Sequence, residues 1–126
     1  MRYLILALSV LVLIACSETI MLSKPKGETV ATGTLRFRLN PPHHLTVTLN
    51  GNIYEGDVDS KSIEMSDSDH LLMRFGAYYK HYDHQYKGTL KTPAGDTLTC
   101  EYLSSKGGGT LGVCEDPKGQ TYEVHR

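Results

Sequence analysis

The chain has 126 residues, of which 40% are apolar, with 3 Cys, no Trp and a formal net charge of -1. This length suits one small globular domain, and a nearly neutral chain without runs of Lys or Arg lacks the basic surface that nucleic-acid binding requires. The apolar residues are unevenly placed, because 13 of them lie among the first 15 positions and about a third of the remaining 111 residues are apolar. The composition therefore predicts an apolar N-terminal segment followed by a polar domain with a small core.

The N-terminal segment has the features of a secretory signal. One basic residue, Arg2, precedes residues 3–14, a run in which Ser9 alone is polar. This run is too short to cross a bilayer as a helix, which takes about 20 residues. We predict that residues 1–15 are a signal peptide.

The signal ends in Leu13-Ile14-Ala15-Cys16, which resembles the bacterial lipobox. The resemblance implies cleavage before Cys16 and acylation of this cysteine, with chains such as palmitate holding the protein on a lipid bilayer. Ser17 stands where an Asp would favour retention in the inner membrane, so the resemblance implies an outer-membrane lipoprotein. An ordinary signal peptide with a chance cysteine is the alternative.

The two remaining cysteines are predicted to form a disulfide. Export to an oxidising compartment favours pairing of Cys100 with Cys114. Their midpoint falls among Gly107-Gly108-Gly109, so a hairpin that turns on these glycines would place the two cysteines opposite each other. The alternative, a redox-active or metal-binding pair, would favour a Cys-x-x-Cys spacing that the chain lacks.

The rest of the chain has the alternation of apolar and polar residues that is typical of β-strands. We expect residues 16–30 to be the lipidated N-terminus and a flexible tether, and residues 31–126 to be a single β-domain without an amphipathic helix. Asn50-Gly51 lies between two alternating runs and is a strong hairpin signal. The expected strands cover the runs at 35–39, 45–49, 53–58, 71–75, 86–90, 97–103, 111–115 and 120–125. Seven to eight short strands in succession predict an all-β antiparallel meander that closes as a small barrel or a curved sheet.

A short pattern, Tyr-x-Gly-x-aliphatic, occurs twice. It covers Tyr54 to Val58 and Tyr86 to Leu90. Because Tyr and the Gly two positions later share one face of a strand, we interpret the pattern as strand packing in which the ring covers the glycine, rather than as a duplicated ligand site.

Metal and catalytic chemistry receive little support from the sequence. His81, Asp83 and His84 are metal-ligand types, but residues three apart in a strand point to opposite faces. His43-His44 is a second pair, and we interpret both groups as exposed loop histidines. The paired carboxylates at 57, 59, 67 and 69 lack the remaining residues of a calcium loop. With no nucleophile motif either, we expect a protein that is not an enzyme and that needs no metal or cofactor.

A tyrosine cluster is the candidate contact surface. Tyr78, Tyr79, Tyr82 and Tyr86 are four of the seven tyrosines that follow the signal. Tyrosine offers a large contact area and a hydroxyl, which suits binding to a protein or a glycan. The alternative is that half of these rings face the core, as strand periodicity would require.

The C-terminal third carries a further resemblance. Its motifs are Tyr86-x-Gly88, Thr99-Cys100-Glu101, Gly112-Val113-Cys114 and Gly119-Gln120-Thr121-Tyr122-Glu123-Val124. Together with the lipobox they resemble those of small uncharacterised proteobacterial lipoproteins, which implies a disulfide-bonded β-domain and no particular activity.

A second similarity is to the membrane-bound inhibitors of C-type lysozyme, β-barrel lipoproteins with a Ser-Gly-x-x-Tyr loop and a later Lys-Gly. Gly76-Ala77-Tyr78-Tyr79 and Lys87-Gly88 follow that order, whereas Phe75 stands in place of the serine and the cysteines are placed differently.

These observations predict an outer-membrane-anchored lipoprotein. We expect its β-domain, in the periplasm or at the cell surface, to act as a non-catalytic binding or accessory module of the cell envelope. Its partners would be the lipid bilayer, through Cys16, and an envelope protein or a glycan. The alternatives are an inhibitor of lysozyme or another envelope hydrolase, and a structural component of the envelope.

Overall fold

The structure is a computed structural model that describes residues 17–25, 27–37 and 42–125. Eight antiparallel strands form a closed barrel in which each strand pairs with the next along the chain and β8 pairs with β1. The strands are β1 (Ser17–Ser23), β2 (Thr29–Arg36), β3 (His43–Leu49), β4 (Asn52–Ser62), β5 (His84–Lys91), β6 (Thr97–Ser104), β7 (Thr110–Glu115) and β8 (Thr121–His125). One α-helix, α1 (Ser68–Phe75), lies between β4 and β5 and is flanked by the 3-10 turns Met65–Asp67 and Gly76–His81. The prediction of an all-β barrel is confirmed.

Strand alternation builds the barrel interior. In β3, for example, Leu45 and Val47 are fully buried while Thr46 and Thr48 between them are at least partly exposed. The residues that fill the interior are Ile20, Leu22, Ala31, Leu35, Leu45, Val47, Leu49, Val58, Tyr86, Leu90, Leu98, Cys100, Tyr102, Cys114, Tyr122 and Val124. Side chains from all eight strands therefore fill the interior, as expected for a small barrel.

The two ends of the barrel differ. At one end, which we call the Ser17 end, β1, β3, β5 and β7 begin and the other four strands finish. At the opposite end, the hairpin end, short turns connect each odd-numbered strand to the next. The turn at Asn50-Gly51 has positive φ at both residues (54° and 78°), which is the conformation expected for a two-residue hairpin loop.

The two copies of the Tyr-x-Gly-x-aliphatic pattern lie side by side in β4 and β5. A Cβ on Gly88 would lie 2.7 Å from Val58 Cγ1, and a Cβ on Gly56 would lie 3.4 Å from Leu90 Cδ2. Each glycine thus faces the aliphatic residue of the other copy. The space beside each glycine is therefore filled from the neighbouring strand, and both copies belong to strand packing.

The predicted disulfide is confirmed. Cys100 in β6 pairs directly with Cys114 in β7, and their sulfur atoms are 2.06 Å apart. The hairpin between them turns through residues 105–109, which contain the three glycines. Both cysteines are fully buried in the barrel interior, so the bond joins two neighbouring strands inside the core.

The expected tether over residues 16–30 was wrong, because most of this segment belongs to the barrel. Ser17–Ser23 is β1, which pairs with β2 and β8 and closes the barrel, and β2 already begins at Thr29. Ile20 and Leu22 supply the reason, since both are fully buried in the barrel interior. The predicted signal peptide, the lipobox and Cys16 lie outside the described residues.

The strand expected at 71–75 was also wrong. Leu71 is buried and Phe75, four residues later, is half-buried, whereas Leu72 and Met73 between them are exposed. A four-residue spacing of covered positions is that of one helix face. A capping box formed by Glu64 and Asp67 starts the preceding turn, and α1 continues from it.

Candidate functional site

The chain between β4 and β5 forms the main departure from the barrel. We call residues 63–83 the insert. The insert leaves and rejoins the Ser17 end at one point, where Ile63 N donates to Asp83 O (2.9 Å) and Asp83 N donates to Ser104 O (3.0 Å). The first and last residues of the insert are therefore hydrogen-bonded to each other, and its last residue is also hydrogen-bonded to β6.

A buried carboxylate fixes α1 to the outer face of β6. Glu101 Oε2 accepts hydrogen bonds from His70 Nε2 (2.9 Å) and Gln85 Nε2 (2.5 Å), and Arg74 Nε lies 3.1 Å from Oε1. The Glu101 side chain is only 5% exposed. Burial by itself would raise the pKa of Glu101, but the hydrogen bonds from His70 and Gln85 outweigh it, and the pKa lies below its ordinary value. The carboxylate therefore stays charged and holds both ends of the helix.

The insert also presents large apolar side chains to solvent. In the described part of the chain five large apolar residues are exposed, and four of them lie in the insert. Those four are Met65 (94% exposed), Leu72 (52%), Met73 (86%) and Tyr78 (72%). The fifth, Ile53, lies next to the hairpin end. Exposed large apolar side chains concentrated in one segment are typical of interaction surfaces.

The structure divides the predicted tyrosine cluster. Tyr78 is exposed, and Tyr79 and Tyr82 are half-buried within the insert. Tyr82 packs beside the turn between β6 and β7, where a Cβ on Gly109 would lie 3.5 Å from Tyr82 Cε1. The prediction that Tyr86 belongs to the contact surface was wrong. Tyr86 is 8% exposed and stacks inside the barrel on Tyr102, with ring centroids 4.9 Å apart. Strand periodicity places it there, because β5 begins at His84.

The histidines are dispersed. His84 Nδ1 lies 3.3 Å from Asp83 Oδ1, and His81 belongs to the 3-10 turn of the insert. The prediction of exposed loop histidines was wrong for His43, His44 and His84, because all three are half-buried and lie in strands: His43 and His44 begin β3, and His84 begins β5. His44 lies 3.5 Å from Glu55 and 3.7 Å from Asp57 on the adjacent strand. Within residues 17–25, 27–37 and 42–125, no group of three or more His, Cys, Asp or Glu side chains is placed to hold a metal ion.

One Ser–His pair has the elements of a nucleophile and a base. Ser23, which is buried, hydrogen-bonds through Oγ to His125 Nε2 at the edge of a groove of about 650 Å³ beside Phe75. No carboxylate of the described residues forms an ion pair with His125 to orient its ring. The pair therefore lacks the third member that a hydrolytic triad uses.

A second concave feature, which the sequence did not reveal, opens at the hairpin end. We call it the mouth cavity; its volume is about 420 Å³. Inward-facing side chains of three strands, Leu49, Tyr54 and Tyr122, form its floor. The rim consists mainly of polar residues at three successive hairpin turns: Asn50, Asp96, Thr97, Asp116, Lys118 and Gln120, together with Pro117. These turns are distant in sequence, so only closure of the barrel brings them together.

Two tyrosine hydroxyls face this cavity without protein partners. Within the described residues neither the Tyr54 nor the Tyr122 hydroxyl forms a hydrogen bond to protein, and neither oxygen is fully buried, so both open onto the cavity. Burial of Tyr122 and then the negative charge of Asp116 raise the pKa of its hydroxyl above the ordinary value. Asp116 itself is held in place, since its Oδ1 accepts from the backbone N–H groups of Lys118 (3.0 Å) and Gln120 (2.9 Å).

Comparisons with known proteins supply no family for this chain. No protein-family model matches it, and neither the curated proteins nor the solved structures gave a significant match. In the stretches of chain described above, no helix has the length and apolar character needed to span a membrane.

Proposed function

We propose that this protein is an outer-membrane lipoprotein, anchored through acylated Cys16, whose barrel is a non-catalytic binding module of the cell envelope. The partner surface is the outward face of the insert, formed by Met65, Leu72, Met73 and Tyr78. The observation that carries the proposal is the concentration of exposed large apolar side chains on this one excursion of an otherwise regular barrel. A protein partner would cover these side chains and remove them from water.

The insert is well suited to binding because it is held rigidly. Glu101 holds α1 through His70 and Arg74, and Lys61 Nζ lies 2.6 Å from Asp67 Oδ1 at the start of the helix. Leu71 and Leu103 are both fully buried, although neither belongs to the barrel interior. A surface fixed in this way loses little conformational entropy when a partner binds.

The position of the anchor supports a partner near the membrane. Ser17 is the first residue of β1, and consecutive Cα atoms are about 3.8 Å apart, so an acylated Cys16 would hold the Ser17 end directly at the bilayer. The insert begins and ends at this same end. Its exposed face would therefore meet another protein of the same membrane or its surroundings.

Two linked measurements test the proposal. Membrane fractionation should find the native chain in the outer membrane and a Cys16→Ser variant in the soluble fraction. Affinity capture from solubilised envelopes should then recover a partner that is lost with the pair Leu72→Ser and Met73→Ser. The matched control is Ile53→Ser, which removes an exposed apolar side chain near the hairpin end. Equal recovery by all variants would contradict the assignment of the surface.

A second candidate, inhibition of a lysozyme or another envelope hydrolase, is favoured by one observation. Tyr78 protrudes from the Gly76–His81 turn, in the loop whose sequence is similar to that of the lysozyme inhibitors. Purified protein should then inhibit C-type lysozyme at micromolar concentration, and Tyr78→Ala should relieve the inhibition. Absence of inhibition would remove this candidate.

A further inference from the structure

The mouth cavity is distinct from the insert surface and lies at the opposite end of the barrel from Ser17. Open ends of β-barrels are frequent ligand sites, because inward-facing side chains form a floor and the turns form a rim. Here the floor is an aliphatic side chain beside two tyrosines, and the rim provides carboxylates, amides and one ammonium group. This combination has both apolar contact area and polar groups that can orient a ligand.

The Tyr122 hydroxyl is the strongest pointer to a ligand. Tyr122 is only 4% exposed, its hydroxyl opens onto the cavity rather than into the core, and no described residue gives it a hydrogen bond. Tyr54, which is partly buried and packs against the core, presents a second hydroxyl to the cavity. Two hydroxyls that each can donate and accept thus line one cavity with no protein partner.

The rim adds side chains that can donate or accept further hydrogen bonds. The Asn50 and Gln120 side chains each have an amide that both donates and accepts, and the Asp96 and Asp116 carboxylates only accept. Asp116 uses Oδ1 for the backbone of its own turn, which fixes the direction of the group. A ligand rich in hydroxyl groups matches this mixture, because every hydroxyl can donate to a carboxylate and accept from an amide or a tyrosine.

The charge of the cavity lining favours some hydroxyl-rich ligands over others. The two carboxylates face one ammonium group, Lys118, so the lining has a net negative charge at neutral pH. Phosphorylated or carboxylated compounds would meet repulsion there, whereas neutral or amino-bearing compounds would not. The aromatic and aliphatic floor suits the C–H groups on the face of a sugar ring.

We propose that the mouth cavity is a binding site for a single saccharide unit that is neutral or carries an amino group. The unit would accept and donate hydrogen bonds at the Tyr122 and Tyr54 hydroxyls and meet the carboxylates at the rim. This site does not depend on the lipid anchor or on the insert, so its failure would leave the proposed partner surface standing, and the reverse also holds.

Saturation-transfer NMR on the full chain, in a detergent without sugar groups, provides the test. The probes are glucose, glucosamine and glucose 6-phosphate, which share one ring and differ in charge. Tyr122→Phe removes only the cavity hydroxyl. Tyr102→Phe is the control, because Tyr102 is a tyrosine of the same barrel interior whose hydroxyl is enclosed in the core without a partner among the described residues and does not line the cavity.

We expect transfer to glucose or glucosamine, a threefold to tenfold weaker affinity (about the effect of one hydrogen bond) in Tyr122→Phe, and no change in Tyr102→Phe. The proposal is overturned if no probe gives a signal, if glucose 6-phosphate binds best, or if the two variants behave alike. Should Tyr122→Phe fail to fold, Asp96→Asn takes its place: loss of the glucosamine signal is then expected, and an unchanged signal contradicts the site.

Discussion

Arg74 Nε lies 3.1 Å from Glu101 Oε1, which ties the last turn of α1 to the outer wall of the barrel. Removing this carboxylate should release the helix. We expect Glu101→Ala to lower the free energy of unfolding by about 2–4 kcal/mol, because His70, Arg74 and Gln85 would lose a buried charged partner. Urea unfolding measures the loss, and hydrogen exchange should show reduced protection in residues 68–75. Unchanged protection there would show that the helix is held by other contacts.

Glu101 also predicts a pH dependence. The pKa of Glu101 is lower in the folded protein than in the unfolded chain. Its contribution to folding stability is therefore present above the ordinary glutamate pKa and is lost as the pH falls through the pKa of the folded protein. Unfolding experiments from neutral to acidic pH should therefore show stability falling on acidification. In Glu101→Gln, which keeps the shape of the side chain without its charge, the fall should be shallower. Equal slopes for both proteins would mean that other carboxylates dominate.

Because the hydrophobic core of the domain is small, we expect the disulfide to be needed for stability. Closing the loop between Cys100 and Cys114, 14 residues apart, is worth about 3 kcal/mol in the chain-entropy model. The double variant Cys100→Ser and Cys114→Ser should unfold at correspondingly lower denaturant concentration, and reductant should have the same effect on the native chain. If reductant does not change the denaturant concentration at which half of the native chain is unfolded, the disulfide does not stabilise the fold.

Glycine at position 112 is required by the packing of β6 against β7. A Cβ there would lie 2.1 Å from Tyr102 Cβ, so Gly112→Ala should cost about 3 kcal/mol or more, or prevent folding. Gly107→Ala is the control, since its nearest neighbour would be Ser105 Oγ at 4.0 Å. Thermal unfolding of the two variants checks the prediction, and similar melting temperatures would refute it.

The hairpins were the most predictable part of this fold. Asn50-Gly51 and the glycines between Cys100 and Cys114 are local signals, and each fixes a turn and the register of the strands beside it. β1 escaped prediction because Ile20 and Leu22 are its only fully buried apolar residues, which is too short an alternation to indicate a strand. β1 is held as a strand by pairing along its whole length with β2 and, at residues 21–23, with β8.

The candidate sites were less predictable for related reasons. Leu71, Met73 and Phe75 alternate as in a strand, yet Leu71 and Phe75 are also spaced as on one helix face, and the contact of α1 with buried Glu101 decides between the two. The mouth cavity depends on three turns that meet only after the barrel closes. No local pattern contains that information.

The central claim, that the insert of an anchored barrel contacts an envelope partner, is tested most directly by photo-crosslinking in living cells. A photoreactive residue in place of Met73 should yield one defined crosslinked species, and the same residue in place of Ile53 should not. The Met73 product should disappear when Cys16→Ser removes the anchor. No product at Met73, or the same products from Met73 and Ile53, would contradict the account.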